Sequence, residues 1–130
     1  MQTLFEGSTV SKCIVVDDDP FWFAEIAAAL SQANVEILNA QDGRQALKLA
    51  ERHPDASMVL DIILPEIDGV EVLQKLPQIA PDIRVLAVTG GGRLGAGFYL
   101  KLASTFGAKG QLAKPFTAQQ LLDNWIALAA

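Results

Sequence analysis

The feature that most constrains this chain is an alternation. Short β-branched runs take turns with helical stretches along its whole length. Lys12–Val16 is the first run, and its apolar part, Cys13-Ile14-Val15-Val16, suits a buried strand. Asp19 followed by Pro20 reads as a helix N-cap and a first-turn proline. A helix through Phe21–Gln32 follows, with Phe23, Ile26, Ala27 and Leu30 at helical spacing. Val35–Asn39 is the second run. Asp42-Gly43 opens a helix to about Arg52, with Ala46, Leu47 and Ala50 facing inward, and His53-Pro54-Asp55 ends it. Ser57–Leu60 is the third run. A helix over Val70–Leu76 follows and is expected to stop at Pro77. Arg84–Val88 is the fourth run, with a helix expected at about Phe98–Phe106. Gln111–Ala113 is the fifth, and a Thr117/Gln120 capping box opens a helix over Ala118–Ala129. Five βα units in succession imply an α/β domain: a five-stranded parallel sheet with helices on both faces. Ligands of such sheets bind beyond the carboxyl ends of the strands.

At 130 residues there is room for one domain, expected over residues 12–130 behind a short leader, Met1–Ser11. No apolar run approaches the ~18 residues needed to span a bilayer, so no membrane contact is expected. Met1–Ser11 does not read as a secretory signal, and the single Cys13 cannot form an internal disulfide; both point to the cytoplasm. Ten Lys and Arg stand against 15 Asp and Glu, a net charge of −5, which argues against direct nucleic-acid binding.

The stretch "VVDDDP" places three carboxylates directly behind a buried strand. Two like charges about 4 Å apart repel by about 1 kcal/mol in water and by about 4 kcal/mol near a protein surface. Either they point apart into water or something positive lies between them. The other strand ends sharpen the question. Asp61 follows the third strand, Thr89 the fourth and Lys114 the fifth, and a parallel sheet brings all of these to one edge. Oxygen ligands in this number suit a hard cation such as Mg2+. Thr89 and Lys114 add donors that phosphoryl oxygens need. An Asp beside such a site can be a nucleophile that forms an acyl phosphate.

These residues resemble the receiver domain of response regulators in two-component signalling. The resemblance runs from about Lys12 to Ala130. It is carried by Asp17 and Asp18, by Asp61 in "LDIILPEIDG", by Thr89 in "LAVTG", and by Lys114-Pro115-Phe116. It implies a flavodoxin-like sheet of order 2-1-3-4-5, with Asp61 as phosphoacceptor. Asp17, Asp18, Asp61 and the backbone carbonyl of Ile63 would bind Mg2+, while Thr89 and Lys114 hold the phosphoryl oxygens. It also implies a cis Lys114–Pro115 bond. The partners would be a histidine kinase or a histidine phosphotransfer protein, and an unnamed downstream protein. The domain would be a phosphorelay switch rather than a turnover enzyme, stand-alone or excised from a longer protein. Two positions depart from the family pattern. Gln111 replaces the aromatic or His often found three residues before the lysine. The loop Gly90-Gly91-Gly92-Arg93-Leu94-Gly95-Ala96-Gly97 is unusually glycine-rich and is expected to be mobile without phosphate.

Several residues have plainer readings. Asp19 is read as a helix cap rather than a ligand, and Asp42-Gly43 and Asp68-Gly69 as turn chemistry. Cys13 is a small buried hydrophobe; His53 and Glu66 are solvated. Phe21, Trp22 and Phe23 cannot all face inward on one helix. One or two should sit partly exposed at the rim, where a partner contact is the sharper reading. Two rival functions fail on spacing. Gly90–Gly95 fits G-x-G-x-x-G, but a dinucleotide site needs an acid about 20 residues on; the chain has none there and the motif follows the fourth strand. Asp17-Asp18-Asp19 contains the D-x-D of haloacid-dehalogenase phosphohydrolases, but the acid pair such enzymes carry downstream of the lysine is missing.

Overall fold

The computed structural model describes residues 11–65 and 67–129. The expected leader, apart from Ser11, and Glu66 lie outside them. The elements alternate without interruption: β1 (Lys12–Val16), α1 (Pro20–Gln32), β2 (Glu36–Ala40), α2 (Gly43–Arg52), β3 (Ser57–Asp61), α3 (Gly69–Ile79), β4 (Val85–Thr89), α4 (Ala96–Thr105), β5 (Gly110–Ala113) and α5 (Ala118–Ala127). All strand pairs are parallel, in the order β2-β1-β3-β4-β5. The central strands are buried on both faces, and their side chains alternate between two cores. Ile14, Val16, Met58, Leu60 and Ala87 pack with Ala46 and Ala50 of α2, Val72 and Leu76 of α3 and Ala103 of α4. Cys13, Val15, Val59, Leu86 and Val88 pack with Ile26 and Leu30 of α1 and with Leu121 of α5. The order reverses between β1 and β3, so the loops after these two strands face each other across a crevice.

Local chemistry starts the helices where the sequence places them. Asp19, Asp42 and Asp68 each accept a hydrogen bond from a first-turn amide: Phe21 at 2.9 Å, Gln45 at 2.9 Å and Glu71 at 3.0 Å. Thr117 and Gln120 form the reciprocal capping box. The expected stop at Pro77 is wrong: α3 continues to Ile79. A proline inside a helix forfeits its amide bond and crowds the carbonyl four residues back, here that of Leu73, but its fixed φ is helical. Leu76 on the same stripe is buried, Ile79 packs against the core, and the Ala80 amide still reaches the Leu76 carbonyl at 2.8 Å. The fourth helix also begins earlier than expected, at Ala96, and Phe106 is its C-cap. No side chain caps its start at Gly95, and at its end Gly107, with a φ of 105°, turns the chain so that the Ala108 amide bonds the Ala103 carbonyl at 3.0 Å.

Candidate functional site

β1 delivers Asp17 and Asp18, and β3 ends on Asp61. Their carboxylates converge, with one oxygen from each lying within 4.8 Å of the others. Asp17 and Asp61 are buried and Asp18 is exposed. Each buried carboxylate is held from two sides. Asp17 Oδ1 accepts from the Asp19 amide at 2.9 Å, and Asp61 Oδ1 from the Ile63 amide at 3.0 Å. Their second oxygens share one ammonium: Lys114 Nζ donates to Asp17 Oδ2 at 2.8 Å and to Asp61 Oδ2 at 3.2 Å. Lys114 arrives from β5, whose end is pinned by the Lys114 amide bonding the Thr89 carbonyl at 2.8 Å. The Lys114–Pro115 bond is cis, as the resemblance implies. Thr89 is fully buried at the end of β4, and its Oγ1 accepts from the Gly91 amide at 3.3 Å.

The electrostatics follow from this packing. Burial pushes the Asp61 carboxyl up to about 6; the charge of Lys114 opposes the rise, Asp17 adds to it, and the bonds from the Ile63 amide and Lys114 oppose it. For Lys114, burial pulls downward, but the bond to Asp17 and the charges of Asp61 and Asp17 outweigh it, so its affinity for the proton rises. One ammonium among three carboxylates leaves negative charge uncompensated at a crevice lined with oxygen donors. That donor set fits a hard divalent cation.

The structure brings Asp17, Asp18, Asp61 and Lys114 together as the strand-end pattern predicts. It differs in one respect. The charge between Asp17 and Asp61 is the lysine itself, which the sequence reading reserved for phosphoryl oxygens. Gln111 donates its amide to the Ala108 carbonyl at 3.0 Å and is half-buried. Cys13 is fully buried, with its thiol pushed up to about 11 by burial, and is an inert core residue. Phe21 is exposed, whereas Trp22 and Phe23 are half-buried. The sequence reading missed what Trp22 covers. Its ring centroid lies 5.4 Å from Lys114 Nζ. No local pattern could reveal this, because Trp22 and Lys114 meet only through the sheet.

Comparison with known proteins identifies the class. Residues 13–125 match the family model of the response regulator receiver domain, and the chain belongs to that family. Among curated relatives, it is 35% identical over 119 residues to the response regulator MprA of Mycolicibacterium vanbaalenii, covering 90% of this chain and 49% of that protein. It is 31% identical over 110 residues to the alkaline phosphatase synthesis transcriptional regulatory protein PhoP of Bacillus subtilis, covering 85% of this chain and 45% of that one. The chain thus spans about half the length of the curated relatives it matches. Among solved structures, a response regulator receiver domain protein from Clostridium thermocellum aligns with a TM-score of 0.82 at 26% identity, over 92% of this chain and 94% of that one. The chemotaxis protein CheY4 of Vibrio cholerae aligns with a TM-score of 0.80 at 24% identity, over 92% and 99%, and shares the fold. The expected absence of nucleic-acid contact gains no support here: PhoP is named a transcriptional regulator, and the net charge of −5 is that of these 130 residues alone.

Proposed function

We propose that this domain accepts a phosphoryl group on Asp61 from a partner's phosphohistidine, and that acceptance changes which partners it binds. The observation that carries this reading is the single ammonium of Lys114 spanning Asp17 and Asp61 beside an exposed Asp18. Asp17, Asp18, Asp61 and the carbonyl of Ile63 would hold Mg2+. When bound, the ion supplies positive charge for the transferring phosphoryl oxygens and relieves the repulsion among the carboxylates.

The rest is the work of the chain. The Ile63 amide and Lys114 fix the Asp61 carboxylate, one on each oxygen, and release of the Lys114 bond frees Oδ2. That oxygen attacks phosphorus, the P–N bond to the donor imidazole breaks, and its electron pair stays on the ring nitrogen, which then takes a proton from water. An acyl phosphate remains on Asp61. Lys114 exchanges its bond to Asp61 for one to a phosphoryl oxygen. Thr89 gives up the Gly91 amide and turns its hydroxyl to another, which draws in the loop Gly90–Gly97. Amide hydrogen exchange in that loop is therefore expected to slow on phosphorylation; equal exchange in both states would contradict this route to a partner.

The donor is a histidine kinase or a histidine phosphotransfer protein, and the output partner reads the loop and α4. A cytoplasmic location goes with this reading. The domain holds one phosphoryl group and does not turn over. The test is incubation with a small-molecule phosphodonor and Mg2+, followed by intact mass. Wild type is expected to gain one phosphoryl group and Asp61→Asn none; acceptance by Asp61→Asn at the wild-type rate would refute the assignment.

A further inference from the structure

Lys114 does its work at the end of a flexible four-carbon stem. Fixing such a side chain costs on the order of 2 kcal/mol of rotamer entropy. Yet its side chain is only 8% exposed. Two hydrogen bonds hold its head, and both end on carboxylates whose environment changes during phosphoryl transfer. A third contact does not involve them. The face of Trp22 lies over the ammonium, with the ring centroid 5.4 Å from Nζ, inside the ~6 Å range of a cation–π attraction.

The ring is itself supported from two sides. Phe116 packs against it at 4.7 Å, with the planes tilted by 42°. Phe21 meets it edge-on at 5.2 Å and 84°. Trp22 lies in the first turn of α1, just beyond Asp17 and Asp18, and Phe116 lies just beyond Lys114. The three rings therefore tie the loop that carries two acidic residues to the loop that carries the lysine.

We propose that Trp22 is a positioning residue for phosphoryl transfer, whose ring face holds the Lys114 ammonium in place while its hydrogen bonds are exchanged. The proposal rests on Asp61 being the acceptor. An ammonium has three N–H donors. Two are occupied by Asp17 and Asp61, which leaves one for an incoming phosphoryl oxygen. During transfer the bond to Asp61 must be given up, and a hydrogen bond is lost steeply with angle. Attraction to a ring face tolerates rotation of the ammonium, because the negative potential is spread over the whole face. Trp22 thus holds the lysine through the moment at which its directional contacts change, and it covers the charge from water, which strengthens every attraction beneath it.

The test separates this role from plain packing. The full chain is produced with tryptophan replaced by mono-, di- and trifluorinated tryptophan, which keeps the ring's shape but drains its face of negative potential. The same labelling of Trp22→Leu is the control for Trp125. Acetyl phosphate and Mg2+ are added, and phosphorylation is followed by intact mass. In that reaction the acetate P–O bond breaks with its electron pair leaving on acetate, and an Asp61 oxygen bonds to phosphorus. The logarithm of the rate at saturating donor is expected to fall with each fluorine. Trp22→Leu should be slower than wild type by about three- to tenfold, with Trp22→Phe in between and no effect of fluorination in Trp22→Leu. Equal rates across the fluorinated series overturn the proposal, and that arm does not depend on Trp22→Leu folding. If unlabelled wild type takes no phosphoryl group while its fold is intact, the acceptor reading of Asp61 falls, and this one with it. If wild type is phosphorylated and the series is flat, only the role of Trp22 falls.

Discussion

Asp61 is costly to the metal-free protein. Its carboxyl is held at about 6 when folded against 3.8 in the free residue, and burial is the main cause. A raised carboxyl binds its proton more tightly in the native state. The penalty of ionising it is therefore present in full above pH 6 and fades as pH falls towards 3.8. In chelator, Asp61→Asn should raise stability at neutral pH by about 1–3 kcal/mol, and the gain should shrink between pH 7 and pH 4. Denaturant unfolding at several pH values checks this; a variant less stable than wild type at pH 7 would mean that the bond to Lys114 outweighs burial. The neighbouring Ile63 sets a second expectation. Its side chain is 41% exposed and offers no group to orient a hydrolytic water. The acyl phosphate should accordingly be long-lived, and Ile63→Asn should shorten its lifetime by about tenfold, which corresponds to about 1.4 kcal/mol of barrier. Decay of the phosphorylated form by intact mass measures it. Gly91, the other position two residues past a site residue, is a poorer probe. Its φ of 137° is one that only glycine adopts easily, so a side chain there strains the loop as well as adding a polar group.

Between elements, the loop after β3 is fitted against the start of α3 by a glycine. A Cβ on Gly69 would lie 2.6 Å from the Ile62 Cα and 2.7 Å from the Asp61 carbonyl oxygen, both backbone atoms that cannot step aside. The Gly69 amide also bonds the Ile62 carbonyl at 2.8 Å. Gly69→Ala should therefore destabilise by about 1–3 kcal/mol and slow phosphorylation, because the backbone that must shift carries Asp61. Unfolding and phosphorylation rates measured together check both parts; an unchanged midpoint would show that the loop has room to spare. Gly92 permits a similar approach on the far side, where a Cβ would meet the side chains of Ile63 and Tyr99 at 2.4 Å and 2.8 Å. The loops after β3 and β4 are thus packed against each other, and movement of one is felt by the other.

For the whole molecule, ion binding should appear as stability. A ligand that binds only the folded state stabilises by about 2.7 kcal/mol at a hundred times its dissociation constant. For a domain of this size, at about 3–6 °C per kcal/mol, that raises the melting temperature by roughly 8–16 °C. Mg2+ should produce this shift in wild type. Asp18→Asn should lose most of it while raising the metal-free midpoint slightly, since it removes one of three like charges that converge within 4.8 Å. An undiminished shift in Asp18→Asn would remove Asp18 from the ligand set. On the proposed function the phosphodonor reacts at the same face, so Mg2+ and phosphodonor are expected to reinforce each other.

By itself the amino-acid sequence determined the order of elements, the parallel sheet and the residues at its carboxyl edge. Those signals are local: strand runs alternate between two buried faces, and Asp19, Asp42, Asp68 and Thr117 cap helices within one turn of themselves. The tertiary structure alone decided what lies between the carboxylates, how far α3 runs and what covers the lysine. The charge between Asp17 and Asp61 comes from Lys114 because β1, β3 and β5 end at one edge, although β4 separates β5 from the other two. α3 passes Pro77 because packing at Leu76 and Ile79 outweighs the missing amide bond and the crowding of the ring against the preceding turn. Trp22 lies over Lys114 because α1 and α5 pack on the same face of the sheet, bringing Phe116 beneath the ring. Each of these depends on contacts between residues far apart in the chain, and no period or cap along the sequence records them.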